Sequence, residues 1–356
     1  MSKQLDLPIY GLTQREKERT LLPELAQLTR RHRTACPMYA RILDALGTGD
    51  EFGSIEDIPF LPVSLFKTHR LLSVPEEEIF KVLTSSGTSG QVVSRVFLDK
   101  ETANLQTRAL VQIMSKMLGP ARLPMILVDS ASVLGDRNVF SARAAGIKGM
   151  MTFGRDHFFA LTEDMSLDVD GLKKFLAVHA SRRVLLFGFT FMVWKHFAPA
   201  VEAAGLRLND ATLIHSGGWK KLTDEAVDNI TFKRRISEMT GISTIRDFYG
   251  MAEQVGSVFV EGDDGLLHPP AFADVIIRDP VSLAPLPPGQ VGVAQVISVL
   301  PQSYPGHSLL TEDQAVVHSV DGTGTEFRGK AFSVLGRVPN SELRGCSDTY
   351  AAGRGL

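Results

Sequence analysis

The stretch Thr84-Ser85-Ser86-Gly87-Thr88-Ser89-Gly90 decides how the rest of the chain is read. It follows an apolar run, Ile79-Phe80-Lys81-Val82-Leu83, that predicts a buried strand. A second short strand is expected over residues 92–98, and helical spacing begins near Thr102. Glycines let the backbone turn so that successive N–H groups face one concavity, and hydroxyls add donors around it. Such a nest suits a polyphosphate. The same composition also makes a plain hairpin turn, so local features leave both readings open. The loop of P-loop enzymes is excluded, because no Gly-Lys-Ser/Thr follows and the next element is a strand.

Three further segments follow in a fixed order: Asp247-Phe248-Tyr249-Gly250-Met251-Ala252-Glu253, Leu310-Thr311-Glu312-Asp313, and Gly336-Arg337. With the first loop they resemble the ordered core motifs of the adenylate-forming superfamily, which includes acyl-CoA synthetases, nonribosomal adenylation domains and luciferases. Within it the chain most resembles the acyl-protein synthetase family (LuxE-like; long-chain-fatty-acid–luciferin-component ligases). Pro62-Val63-Ser64-Leu65-Phe66-Lys67, Pro75-Glu76-Glu77-Glu78, Ser216-Gly217-Gly218-Trp219-Lys220 and Leu343-Arg344-Gly345-Cys346-Ser347 fit that branch. The resemblance runs from about residue 36 to residue 350.

Composition sets bounds around this reading. A chain of 356 residues is long for one core, and its 44% hydrophobic residues suffice to fill two packed subdomains. A net charge of −2 gives no electrostatic footprint for nucleic acid. The basic stretch Arg30-Arg31-His32-Arg33 reads as a local, solvated helix face. The first seven residues lack an apolar signal core, and the longest apolar run, residues 184–193, is too short to span a bilayer. That run reads as a buried strand or a pocket wall. Two cysteines make no disulfide framework, so a cytoplasmic, reduced protein is expected.

Residues 14–46 carry helical periodicity, and residues 104–117 do so again. Apolar runs at 125–129, 183–187 and 213–215 predict strands alternating with helices at 171–180 and before 204, the texture of an α/β layering with much parallel sheet. After Gly256 short β-rich runs at 257–260, 273–277, 292–299 and 314–318 alternate with Gly/Pro turns. The expected divisions are an N-terminal helical segment (1–58), an α/β nucleotide- and acyl-binding region (59–256), a smaller β-rich subdomain (257–335) and a truncated tail (336–356). The fold class that the resemblance implies is α/β, the N-terminal domain of adenylate-forming enzymes.

The resemblance also implies roles. Ser85, Ser86, Gly87, Thr88, Ser89 and Gly90 would grip the triphosphate of ATP, and Glu253 would ligate Mg²⁺. Tyr249, beside Gly250, would stack near the adenine. Asp313 would accept hydrogen bonds from both ribose hydroxyls, a task suited to a carboxylate with four lone-pair sites. Arg337 would sit against ribose or phosphate. Taken singly, Glu253 reads as a helix N-terminal acid, Asp313 as a turn residue and Arg337 as a surface ion-pair partner. Gly217 and Gly218 mark either a simple turn or a close approach of backbone to the adenine.

The chain also departs from the superfamily. Ser94-Arg95 replaces a common Pro-Lys, so Arg95 is expected to take a phosphate contact; Ala252 stands for a usual Thr, and Glu312 for a usual Gly. The full C-terminal domain with its adenylation lysine is expected to be absent, leaving Lys220 and Lys67 as candidates for that work. Cys346, flanked by Arg344 and Gly345, matches the family's acyl-carrying cysteine, and a neighbouring cation favours a thiolate. Cys36 reads as structural. The aromatic stretch from Phe187 to Trp194 is either core or acyl-pocket wall.

The expected activity is ATP-dependent conversion of a fatty or aryl acid to acyl-AMP, then transfer to a thiol: Cys346, CoA or a carrier protein. An acyl-CoA reductase, an acyltransferase or an acyl-carrier protein would be the partner. Two alternatives remain: ATP-independent acyl transfer between CoA and a carrier, and a non-catalytic acyl- or nucleotide-binding subunit.

Overall fold

Five parallel strands in the middle of the chain show how an apolar run becomes a buried sheet. In this computed structural model, which describes residues 3–85, 93–135, 142–219, 226–322 and 326–338, they lie in the order Gly154–Leu161, Leu123–Ser130, Val184–Phe189, Ala211–Ser216, Thr244–Tyr249. Every residue of Val184–Phe189 is buried. Helices on both faces of a parallel sheet leave no polar side for alternation to mark, hence the unbroken sequence Val-Leu-Leu-Phe-Gly-Phe. Helices Ala142–Met151, Val169–Val178 and Asn229–Thr240 alternate with the strands. Asp168 and Asp228 cap the last two by accepting from the Gly171 and Thr231 N–H groups, at 2.9 and 2.7 Å. At Gly188 a Cβ would lie 2.7 Å from Val128 Cβ and 2.8 Å from Val193 Cγ2, so only glycine lets these elements close together.

Residues 120–248 thus form one of two compact units. The apolar run expected to be a strand or wall through residue 193 changes state within itself. The strand ends at Phe189, and Thr190–Met192, Val193–Phe197 and Ala198–Ala203 continue as helix with a π turn. Inside this unit Arg143 grips Asp129 at the end of its strand, with Nε donating to Oδ2 at 2.7 Å and both side chains buried. Removing one partner of such a pair costs about 3–5 kcal/mol, because the other charge stays buried alone.

The other unit gathers residues up to 85, residues 93–119 and the chain from Tyr249 onward. Its antiparallel sheet runs Ala273–Arg278, Val291–Ser298, Ser308–Val320, Lys330–Arg337, Leu267–His268, Phe259–Glu261, and Leu61–Pro62 pairs in parallel with Ser308–Val320. The N-terminal helix Gln14–Ala35 starts on a capping box, in which Glu16 Oε2 accepts from the Thr13 N–H at 2.9 Å. Its buried Lys17 donates to the carbonyls of Pro269 and Ala273, at 3.0 and 3.3 Å, which ties the helix to the sheet. Helix Pro37–Ala45 follows, with proline in its first turn.

A separate hairpin, Lys81–Thr84 with Arg95–Leu98, precedes helix Lys100–Leu118. The strand expected to be buried at 79–83 is instead largely exposed, with Phe80 and Val82 at 58% and 47% of their full exposure. Only its partner strand packs inward. No helix among the described residues is long and apolar enough to cross a membrane.

Candidate active site

Two antiparallel strands set the geometry of the best-defined candidate site. Asp313 on Ser308–Val320 faces Arg337 on Lys330–Arg337 in direct register, and a bulge follows at Gln314/Ala315. Such a bulge re-aims the side chains beside it. The Thr311 hydroxyl donates to the Ala294 carbonyl at 2.7 Å and accepts from the Asp313 N–H at 3.1 Å, which fixes the backbone under the carboxylate. The Tyr249 phenol donates to Asp313 Oδ2 at 2.6 Å, and Arg337 Nε lies 3.8 Å from Oδ1. Arg337 also donates from Nη1 to Glu312 Oε2 at 3.3 Å. Burial, and then the charge of Asp313, raise the Tyr249 pKa well above its ordinary value, so the phenol keeps its proton. The Tyr249 ring stacks on Phe259, with centroids 6.1 Å apart.

In the same unit Glu253 sits in the short turn Ala252–Gln254 and is buried, at 4% exposure. Glu253 thus does lie in the first turn of a short 3-10 helix, as its isolated sequence context allows, but its side chain is buried there. The turn is held from three sides. Tyr304 donates to the Glu253 carbonyl at 3.0 Å, and Gln254 Nε2 donates to the carbonyls of Gly306 and Val296 at 2.9 and 3.3 Å. Neither Tyr304 nor Gln254 carries a signal in the sequence, since each acts across a fold-level contact. Gly250, next to Tyr249, is exposed backbone.

Ser85 closes the base of the hairpin. Its N–H donates to the Ser94 carbonyl at 3.1 Å, and its Oγ accepts from the Ser94 N–H at 2.9 Å. Both bonds tie Ser85 to Ser94 across the base of the strand pair. Arg95 stands opposite Thr84 with an exposed side chain. Ser86, Gly87, Thr88, Ser89 and Gly90 lie outside the described residues, as do Lys220 and Cys346. Lys67 is half-buried on the short helix Leu65–Thr68.

In the parallel unit Gly217 and Gly218 follow directly on the carboxyl end of Ala211–Ser216, both exposed, with Gly217 at φ +85°. The carboxyl ends of parallel strands are where open α/β sheets take ligands. Beneath them His215 is buried, with Nδ1 3.0 Å from Thr190 Oγ1 and 3.7 Å from Asp247 Oδ1. Burial, followed by the nearby Lys233, pushes its pKa down to about 3, so the ring is neutral. Phe232 packs on that ring and on Trp194 and Trp219, which makes an aromatic cluster next to the glycine pair. Nothing local in the sequence pairs His215 with Thr190 or Phe232, so its role in this cluster carries no sequence signal.

This fold is that of the adenylate-forming ligases. A solved open conformation of 2-hydroxyisobutyryl-CoA ligase, in complex with 2-HIB-AMP and CoA, matches with a TM-score of 0.71 at 18% identity, over 93% of this chain and 77% of that one. The same ligase in its postadenylation state matches with a TM-score of 0.71 at 19% identity, over 92% of this chain and 69% of that one. The family model for acyl-protein synthetase, LuxE matches residues 7–352, and the chain belongs to that family of acyl-adenylate-forming enzymes. The long-chain-fatty-acid–luciferin-component ligase of Vibrio harveyi is 26% identical over 330 residues, covering 87% of this chain and 81% of that protein. Its counterpart from Aliivibrio fischeri is 22% identical over 321 residues, covering 85% and 80%.

Proposed function

We propose that the chain joins a carboxylic acid to the α-phosphorus of ATP and then hands the acyl group to a thiol. The acid's carboxylate oxygen forms a bond to the α-phosphorus as the bond to pyrophosphate breaks. A thiolate then attacks the acyl carbon, AMP leaves, and the thiol's proton passes to solvent. Catalysis of the first step is mostly positioning and electrostatics. The observation that carries this reading is the Tyr249–Asp313–Arg337 constellation, in which a carboxylate and a guanidinium face each other on rigid strands of an adenylate-forming fold. Asp313 would take the ribose hydroxyls, Arg337 the ribose or phosphate, and Gly217 and Gly218 the approach to the adenine. Ser85 to Gly90 and Arg95 would border the triphosphate.

The hard carboxylate oxygens of buried Glu253 suit Mg²⁺, so Glu253 would hold the ion. Bound there, the ion would neutralise charge on the triphosphate. Lys220 is the proposed catalytic lysine, and Cys346 the proposed acyl acceptor, with CoA or a carrier protein as the competing thiol. The relatives' names include a long-chain fatty acid, which favours a fatty acid over an aryl acid as substrate. An acyl-CoA reductase, acyltransferase or acyl-carrier protein would consume the product, in the cytoplasm. Acid-dependent exchange of labelled pyrophosphate into ATP, screened over fatty, aryl and short-chain acids, tests the whole reading. Exchange with none of them would overturn it.

A further inference from the structure

The Tyr249 side chain carries two separable features, a ring and a phenolic hydroxyl, and the two make different contacts. The ring lies against Phe259, while the hydroxyl donates to Asp313 Oδ2 at 2.6 Å, across 64 residues of sequence. Stacking on an adenine needs only the ring. The hydroxyl therefore calls for its own explanation, and its partner supplies one. An Asp carboxylate rotates about its terminal torsion with little restraint, and the two oxygens here are approached from opposite partners, Oδ2 by the phenol and Oδ1 by Arg337 Nε at 3.8 Å. The Thr311 hydroxyl holds the backbone below but leaves that torsion unset.

Resting on the ribose reading of Asp313, we propose that the Tyr249 hydroxyl is a positioning residue for nucleotide recognition. It locks the plane of the Asp313 carboxylate so that the remaining lone pairs face the ribose diol, and so sets the preference for a ribonucleotide over a 2′-deoxyribonucleotide. A carboxylate has about four lone-pair sites, so one phenol and two ribose hydroxyls can be accepted together. The phenol's raised pKa keeps it a donor across the working pH range. A pre-aimed acceptor gives up less freedom when the ribose arrives, which is the usual gain from preorganisation.

The test compares ATP with 2′-deoxyATP as substrates for acyl-adenylate formation by the full chain, reading the ratio of kcat/KM values. Tyr249→Phe keeps the ring and should lower the ATP preference about tenfold, the scale of a hydrogen bond to a charged group, chiefly through KM for ATP. Asp313→Ala should remove the preference, and Tyr249→Phe added to Asp313→Ala should lower it no further, since the phenol then has nothing to aim. A wild-type preference in Tyr249→Phe overturns the positioning role while leaving the ribose reading of Asp313 intact. Independent, additive losses in the double variant overturn it too. A wild-type preference in Asp313→Ala sinks the ribose reading itself, and the positioning role with it. If Tyr249→Phe does not fold, Tyr249→Trp, an aromatic face without a phenol, gives the same comparison.

Discussion

Asp313 and Arg337 stand opposite each other on adjacent antiparallel strands, with Arg337 Nε 3.8 Å from Asp313 Oδ1. Cross-strand register is set by the whole ladder, from Asp313/Arg337 to Val320/Lys330, so the pair is placed by the fold and not by its own attraction. Glu312 turns this pair into a trio by accepting from Arg337 Nη1. A glycine at 312 would leave the guanidinium without that carboxylate, so the departure from the superfamily pattern has a structural consequence.

Truncating the carboxylate should separate nucleotide from acid binding. Asp313→Ala is expected to weaken ATP by roughly 1.5–3 kcal/mol, since hydrogen bonds to a charged acceptor are the stronger kind. Binding of the free acid should stay within about twofold of the wild type. Calorimetric titration with each ligand measures both, and an equal loss of the two would make Asp313 a structural residue.

Glu253 is expected to act in adenylation and not in folding. Glu253→Gln keeps the size of the side chain and the backbone carbonyl that receives Tyr304. Acyl-AMP formation should fall at least about a hundredfold, the scale of losing a main electrostatic stabiliser. The thermal midpoint should move by only a few degrees. Direct assay of acyl-AMP at saturating Mg²⁺ decides this, and near-normal turnover would remove Glu253 from the site.

The limits of the sequence are physical ones. Helices Gln14–Ala35 and Lys100–Leu118 were legible because a half-exposed helix prints its period, and Val184–Phe189 because an unbroken apolar run must be buried. The same run concealed its change to helix at Thr190, since full burial erases the period that separates strand from helix. At Phe80 and Val82 apolar residues occupy a face that is exposed among the described residues. Asp313, Arg337, Tyr249 and Glu253 were legible only as an ordered set. The contacts that aim them, from Tyr304, Gln254, Thr311 and the Tyr249 phenol, join distant segments and leave no local trace.

A buried histidine pair predicts sensitivity to acid. His32 and His307 stack at 5.1 Å beneath Tyr39. His32 Nε2 must donate to the Pro301 carbonyl at 3.2 Å, so its Nδ1 accepts from Ser73 Oγ at 2.8 Å. Thr29 gives its proton to the Leu25 carbonyl, so His307 Nε2 donates to Thr29 Oγ1 at 2.9 Å. Burial keeps both rings neutral. Burial lowers both pKa values, that of His307 from 6.5 to about 3. Below pH 6.5 the unfolded chain binds protons that the folded chain refuses, so stability is full above that pH and declines toward pH 3. The slope approaches about 1.4 kcal/mol per pH unit for each imidazole. Urea midpoints from pH 7.5 to 5 should fall, and should fall less steeply in His307→Gln. Parallel curves for the two proteins would show that the pair is not responsible.

The last prediction concerns Cys346, which lies outside the described residues; its proposed role as acyl acceptor rests on the resemblance drawn from the sequence and on the neighbouring Arg344 in the chain. Adenylation and acylation are separate steps, so removing the sulfur should uncouple them. Cys346→Ser should form acyl-AMP from ATP and acid at the wild-type rate. It should fail, however, to take up radiolabelled acid in a form that hydroxylamine releases. Buried Cys36, at the junction of two helices, is expected to have no such role, and Cys36→Ser should label normally. The decisive comparison adds CoA or a carrier protein as an external thiol. With a covalent relay, Cys346→Ser accumulates acyl-AMP and transfers slowly to either acceptor. Transfer at the wild-type rate would mean that the external thiol attacks acyl-AMP directly, which leaves the adenylate-forming half of the mechanism in place and removes the relay.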